Sequence, residues 1–178
     1  EIKQYSLRDG SQLKLDTESR AVVAYDNGSR AVELLSGRAR FAVSENRGEQ
    51  RPFRVTANGV RVESGNGNFV VDIADNKVSV CPLDETVTTF FNGKTETVGP
   101  GQRLEILPEG RAKVFQRKYT DIDWLSGSLV LNNIPLSEAI EMINSYRAVP
   151  VVLLNNDKKD IIVDRVLHLS RMDEEVEE

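Results

Sequence analysis

The stretch Phe53-Arg-Val-Thr-Ala-Asn-Gly-Val-Arg-Val62 decides the class of fold. Apolar and polar residues alternate in Phe53-Arg54-Val55 and again in Val60-Arg61-Val62, and Asn58-Gly59 lies between them. A period of two sends successive side chains to opposite faces of a strand, one into a core and one to water. Asn-Gly tolerates the positive φ of a tight turn. The same pattern spreads outward in both directions. Leu13-Lys14-Leu15, Ala39 to Val43, Lys77 to Val80, Thr86 to Phe90 and Arg103 to Ile106 all alternate. Turn signals punctuate them: Asp9-Gly10, Asn27-Gly28, Ser36-Gly37, Arg47-Gly48, Gly65-Asn66-Gly67, Asp75-Asn76, Asn92-Gly93, Gly99-Pro100-Gly101 and Glu109-Gly110. Short strands between evenly spaced turns predict a mainly β, many-stranded domain, and the pattern leaves a sandwich, a barrel and a solenoid-like stack all open. Val22-Val23 and Phe69-Val70-Val71 are apolar on both faces, as central strands are.

After Lys118 the period changes. Leu129-Val130-Leu131 reads as a strand and Asn132-Asn133 as a turn. Pro135 suits the first turn of a helix, and Leu136, Ala139, Ile140 and Ile143 form its apolar stripe. Val151 to Leu154 reads as a second strand, Asn155 to Asp160 as a polar turn, and Ile161 to Leu169 as a third strand. Ser170 is placed to cap a second helix that opens on Asp173-Glu174-Glu175, and the chain is expected to stop before that helix can bury anything. These readings divide the chain into a β domain over 1–120 and a small α+β unit over 121–178. Trp124 stands at the entrance to the second unit, as a hinge or a core plug.

Charge is distributed unevenly. The chain has 178 residues and a formal charge of −5, and its last six residues hold five of the 28 acids. The remaining 23 acids equal the 23 Lys and Arg. A neutral body argues against nucleic acid and against a polybasic membrane surface. No apolar run reaches the ~18 residues of a membrane span, and no signal peptide is present. The chain opens on Glu1 rather than Met, which reads as a fragment.

Catalytic constellations are missing from the sequence. The one cysteine, Cys81, sits in an alternating run and reads as a small core residue. The one histidine, His168, points away from Leu167 and Leu169 and reads as surface-facing. Asp72, Asp75, Asp84 and Glu85 read as solvated turn acids rather than a glycosidase pair. Arg38, Arg40, Arg47, Arg51 and Arg54 read as the wet faces of strands. No phosphate loop or calcium loop is present, and no metal site or cofactor is expected. Binding is favoured over catalysis, so the chain is read as a non-enzyme. An envelope polysaccharide-binding β module is the alternative this reading leaves open.

Several stretches resemble the FecR family of regulators. They are Tyr5 to Arg20, Arg30 to Val43, Arg51-Pro-Phe-Arg-Val55, Val98-Gly-Pro-Gly-Gln102 and the C-terminal segment Trp124 to Tyr146. Gly65-Asn-Gly-Asn-Phe69 departs from the family by one extra residue, and the end departs in Asp173 to Glu178, where the family continues a helix and a strand. The resemblance implies the periplasmic part of a single-pass inner-membrane anti-sigma regulator. Its implied partner is the N-terminal signalling domain of an outer-membrane TonB-dependent siderophore transporter. The signal would pass inward to an extracytoplasmic-function sigma factor, through a cytoplasmic segment absent here. The second unit resembles the secretin and TonB short N-terminal fold. Partner contact is expected there, by strand addition along Val151-Val152-Leu153-Leu154 or Ile161-Ile162-Val163, or by the helix face of residues 136–146.

Overall fold

The computed structural model describes residues 1–45, 48–118 and 121–177. The Arg47-Gly48 turn, Arg47 itself, Thr120 at the expected boundary and Glu178 fall wholly or partly outside that set. The chain divides into two compact units, 1–117 and 118–178.

The first unit is one 12-stranded sheet. Its strands are β1 Lys3–Ser6, β2 Gln12–Leu15, β3 Arg20–Tyr25, β4 Arg30–Val43, β5 Phe53–Ala57, β6 Val60–Ser64, β7 Gly67–Ala74, β8 Lys77–Pro82, β9 Val87–Phe91, β10 Lys94–Val98, β11 Gln102–Ile106 and β12 Ala112–Gln116. Every alternating run of the sequence falls on one of them, Thr86 alone standing just before β9. The turns follow the same chemistry. Both central residues of Asn58-Gly59, Asp75-Asn76 and Asn92-Gly93 have positive φ, the condition for a type I′ hairpin turn that matches strand twist.

The 14-residue β4 organises this sheet. Its first part pairs antiparallel with β3 and parallel with β5. Its second part lies between β2 and β7. The sheet therefore folds over at β4, and alternate residues from both halves meet in one core. Gly37 sits at the change of partners with φ +78°, where a β-carbon would come within 2.8 Å of the Ser19 backbone. The β unit is thus one many-stranded sheet folded over on itself at β4.

Strand position separates the two doubly apolar runs. β7 is central, between β4 and β8, and Phe69, Val70 and Val71 are buried. β3 is not central. Among the described residues it pairs only with β4, and Val22 and Val23 are 48% and 47% exposed. The apolar pattern reports a strand that suits two covered faces, but pairing order comes from tertiary structure.

A buried ion pair fastens the β1–β2 turn to β4. Arg30 Nη1 lies 2.8 Å from Asp9 Oδ2, with side chains 2% and 3% exposed. Asp9 also accepts from Ser11 N, Ser11 Oγ and the Tyr25 hydroxyl. Arg30 Nε donates to the Arg51 carbonyl, and its guanidinium stands over the Phe53 ring. Burial by itself pushes the Asp9 carboxyl up. The bonds from Ser11, Arg30 and Tyr25 together outweigh it and hold the carboxyl below its ordinary value. Burial and the bond to Asp9 push the Tyr25 hydroxyl well above its ordinary value. The other arginines read as wet strand faces divide: Arg38 and Arg54 are half-buried on β4 and β5, Arg51 stands before β5 rather than on a strand, Arg40 is partly buried on β4, and Arg47 lies outside the described residues. Arg38 pairs with Asp16, Arg51 with Glu49 and Arg54 with Glu63.

The second unit has its own core. A 3-10 turn, Asp123–Ser126, carries the fully buried Trp124 and ends on Gly127 at φ +77°. Then come β13 Ser128–Pro135, α1 Leu136–Asn144, β14 Ile162–His168 and α2 Met172–Glu177. β13 and β14 form an antiparallel pair.

Four local expectations are corrected here. Asn132-Asn133 is a bulge, not a turn: β13 continues past it, with Asn133 at φ +54° and Pro135 opposite Ile162. An Asn-Asn pair supplies the left-handed residue that either feature needs. Pro135 stands just before the helix, with extended backbone, rather than in its first turn. Ser170 lies within a 3-10 turn, Leu169–Arg171, rather than capping α2. Finally, α2 does contribute to the core, through the buried Met172 and the half-buried Val176.

Candidate protein-docking site

The two-stranded sheet of the second unit has one covered face. Leu129, Leu131 and Leu167 are buried against Ala139 and Ile143 of α1 and Met172 of α2, and Val163 packs beside them. Side chains one position off point the other way. Val166 is 53% and Ile162 is 55% exposed, and they lie opposite Val130 and Pro135. Among the described residues, β14 pairs with β13 alone. Its second edge and an apolar outer face are thus open together.

The helix is anchored at both ends. Leu136 N donates to the Ile161 carbonyl at 2.7 Å and Ser137 N to the Lys159 carbonyl at 3.0 Å, so two of the otherwise orphaned first-turn N–H groups have partners. At the other end the Asn144 carboxamide faces the Val151 peptide. Val151 N donates to Asn144 Oδ1 at 2.7 Å, and Asn144 Nδ2 donates to the Val151 carbonyl at 3.0 Å. Glu175 of α2 ties the far end of β14 down, accepting from His168 N at 2.7 Å and lying 2.9 Å from His168 Nδ1. The bond from the His168 peptide is the main reason its carboxyl is held below the ordinary glutamate value.

These contacts relocate the residues expected to bind a partner. Val151-Val152-Leu153-Leu154 is not a strand. A strand exists through its ladder, and here the Asn144 side chain takes both polar groups of Val151 in place of a neighbouring chain. Val151 and Leu153 are half-buried, while Val152 and Leu154 are 69% and 96% exposed. Ile161 is 52% exposed and stands just outside β14, its carbonyl committed to α1. Ile162 and Val163 are the first two residues of β14. An apolar groove of about 290 Å³ runs beside them, lined by Ile140, Ile143, Val151, Leu153, Val163 and Val176 among others. Sequence reasoning missed the Asn144 clamp and the outward-facing Val166. The signal for Val166 was present, because it shares the parity of Ile162 in an alternating strand.

Asn144→Ala tests the clamp. It strips two hydrogen bonds from Val151 and is expected to destabilise the chain by about 1–3 kcal/mol, read from urea unfolding. An unchanged midpoint would show that the carboxamide is dispensable.

Among the described residues there is no cluster of metal-ligating side chains, and no helix is long and apolar enough to cross a membrane. Asp84 is used as a brace, accepting from the Asn68 peptide and side chain at 2.6 Å each. Cys81 is buried within β8.

Comparison with known proteins gives one family and one fold. Residues 1–88 match the family described as FecR protein. No curated protein matches the chain. Two crystal structures of a protein from Parabacteroides distasonis ATCC 8503, provisionally assigned as an anti-sigma factor, share its fold. The structure at 1.65 Å is 22% identical with a TM-score of 0.74, over 95% of this chain and 81% of that one. The structure at 2.50 Å is 21% identical with a TM-score of 0.74, over 99% and 84%. The match begins at the first strand and runs through the folded-over β4 into β9, so it is residues 1–88, within the β unit, that match the FecR family.

Proposed function

We propose that the chain is the periplasmic signal-receiving part of a FecR-type anti-sigma regulator anchored in the inner membrane. It acts by binding protein, not by catalysis. The observation that carries this reading is the coincidence, in the second unit, of an unpaired strand edge with an exposed apolar face at Ile162 and Val166. An edge offers a row of backbone donors and acceptors, and the apolar neighbours supply affinity once a strand is added. The partner is the N-terminal signalling domain of an outer-membrane TonB-dependent siderophore transporter. Docking there is relayed to an extracytoplasmic-function sigma factor through the regulator's cytoplasmic segment. The family match and the fold shared with an assigned anti-sigma factor support the regulatory role.

Val166→Lys and Ile162→Asp test the surface in the whole chain. Both residues are more than half exposed, so the fold should change by no more than about 0.5 kcal/mol. Binding of a purified transporter signalling domain, followed by calorimetry, should weaken at least ~10-fold, in keeping with the loss of an interface anchor. Full affinity in both variants would move the docking surface elsewhere.

A further inference from the structure

Among the described residues β3 also pairs on one side only, and its sequence is unusual for an edge. Edge strands are ordinarily protected by charge, proline or bulges that face the open side. The run Arg20-Ala-Val-Val-Ala-Tyr25 has four apolar residues at its centre, with Val22 and Val23 about half exposed. Beside it lies a trough of about 610 Å³, shared with β1 and lined by Leu13, Leu15, Ala21, Val23 and Tyr25. β1 belongs to the opposite half of the folded sheet, through β2. Among the described residues, no strand occupies the place next to β3 in its own half.

We infer that β3 pairs with β3 of a second copy of this chain, antiparallel about a two-fold axis at Val23. Geometry restricts the choice of register. A two-fold axis perpendicular to a sheet keeps each residue on its own face, so paired positions must share parity. Centring on Val23 places Val23 against its own copy, Val22 against Ala24, Ala21 against Tyr25 and Arg20 against Asp26. Both faces are then complementary. On the inner face, Ala21 and Tyr25 already pack against the core, and the paired Val23 side chains extend that apolar layer along the trough. On the outer face Val22 meets Ala24, flanked by two reciprocal Arg20–Asp26 ion pairs.

The charges are disposed for this arrangement. Arg20 and Asp26 are both exposed. Among the described residues Arg20 has no ion-pair partner. Asp26 is held in place by its own turn, where one carboxylate oxygen accepts from Gly28 N at 2.7 Å and Ser29 N at 2.8 Å. Those peptide bonds keep the carboxyl below its ordinary value, hence charged. Centring the axis on Val22 instead would set Arg20 against Ala24 and leave both charges unmatched. Self-pairing at β3 and the turn after it stands or falls separately from docking at the second unit.

Sedimentation velocity of the chain from micromolar to near-millimolar concentration tests it. A reversible monomer–dimer equilibrium is expected. Val23→Lys places like charges on the axis and should weaken association about tenfold or more. Arg20→Asp and Asp26→Arg should each weaken self-association. Mixing the two variants should restore a heterodimer, because one Arg20–Asp26 pair is then kept as it is and the other is re-formed with reversed sign. Oxidised Val23→Cys should cross-link more readily than Val22→Cys, whose mate is Ala24. Circular dichroism and unfolding curves of each variant exclude misfolding as the cause. A chain that stays monomeric throughout, or a dimer insensitive to Val23→Lys with no rescue on mixing, overturns the proposal.

Discussion

Asp9→Ala is expected to destabilise the β unit by about 3–5 kcal/mol, the cost typical of leaving one member of a buried ion pair alone. The Arg30 guanidinium is 2% exposed and would keep only the Arg51 and Ser44 carbonyls as acceptors. Ser11 and Tyr25 would lose their shared acceptor as well. Net stability of a domain is on the order of 5–15 kcal/mol, so this single change removes a large part of it. Arg30→Met in the same background should recover much of the loss, since an apolar replacement of both partners avoids the unpaired charge. The pH dependence has a defined sign. The folded Asp9 carboxyl lies below its ordinary value. Its contribution is therefore complete above the unfolded pKa of about 4 and is lost as pH falls through the folded value. Urea unfolding at neutral pH and near pH 3 should show this contribution in the parent chain and its absence in the double variant. Equal midpoints for parent and Asp9→Ala at neutral pH would remove the network from the account of stability.

That network marks where sequence reading stopped. Asp9-Gly10 is legible as a turn, and Arg30 as the opening of an alternating run. Nothing in their spacing brings residues 21 positions apart into one buried pair. The alternation of Phe53 to Val62 or Lys77 to Val80 was sufficient for the strands, because period and turn chemistry are local. The folding-over of the sheet was not legible, since it depends on one strand serving two sets of partners. The same limit explains the two misplaced strands. Val22-Val23 has the composition of a central strand and sits at an edge. Val151 to Leu154 has the composition of a strand and finds a side chain where a ladder would be. Composition reports what a segment suits, and pairing is settled by which other segments arrive. For the docking site, Ile162 and Val163 were legible as strand residues, and Val166 was legible by the same alternation as lying on the face of Ile162, but the Asn144 clamp was not, because it depends on where Val151 arrives.

Phe41→Ala should have an effect as large as Asp9→Ala, about 3–5 kcal/mol, for a different physical reason. Phe41 is fully buried in the second part of β4. Its ring stacks on Phe69 of β7 at 5.3 Å and tilts against Phe53 of β5 at 5.9 Å. Phe69 is its direct cross-strand mate, while Phe53 pairs with the first part of β4. The ring thus joins the two halves of the folded sheet at the strand they share. Truncation removes the transfer energy of the ring and leaves a cavity that two rigid strands cannot close. Phe41→Leu keeps most of the volume and should cost less than about half as much. Phe115→Ala provides the contrast. Phe115 lies on β12, is 40% exposed and has Lys113 over its ring, so its loss should stay within about 1 kcal/mol. Urea unfolding of the three variants reads the order directly. If Phe41→Ala and Phe115→Ala shifted the midpoint equally, the core would not be organised around β4, because the same residue type would then matter regardless of which strands it joins.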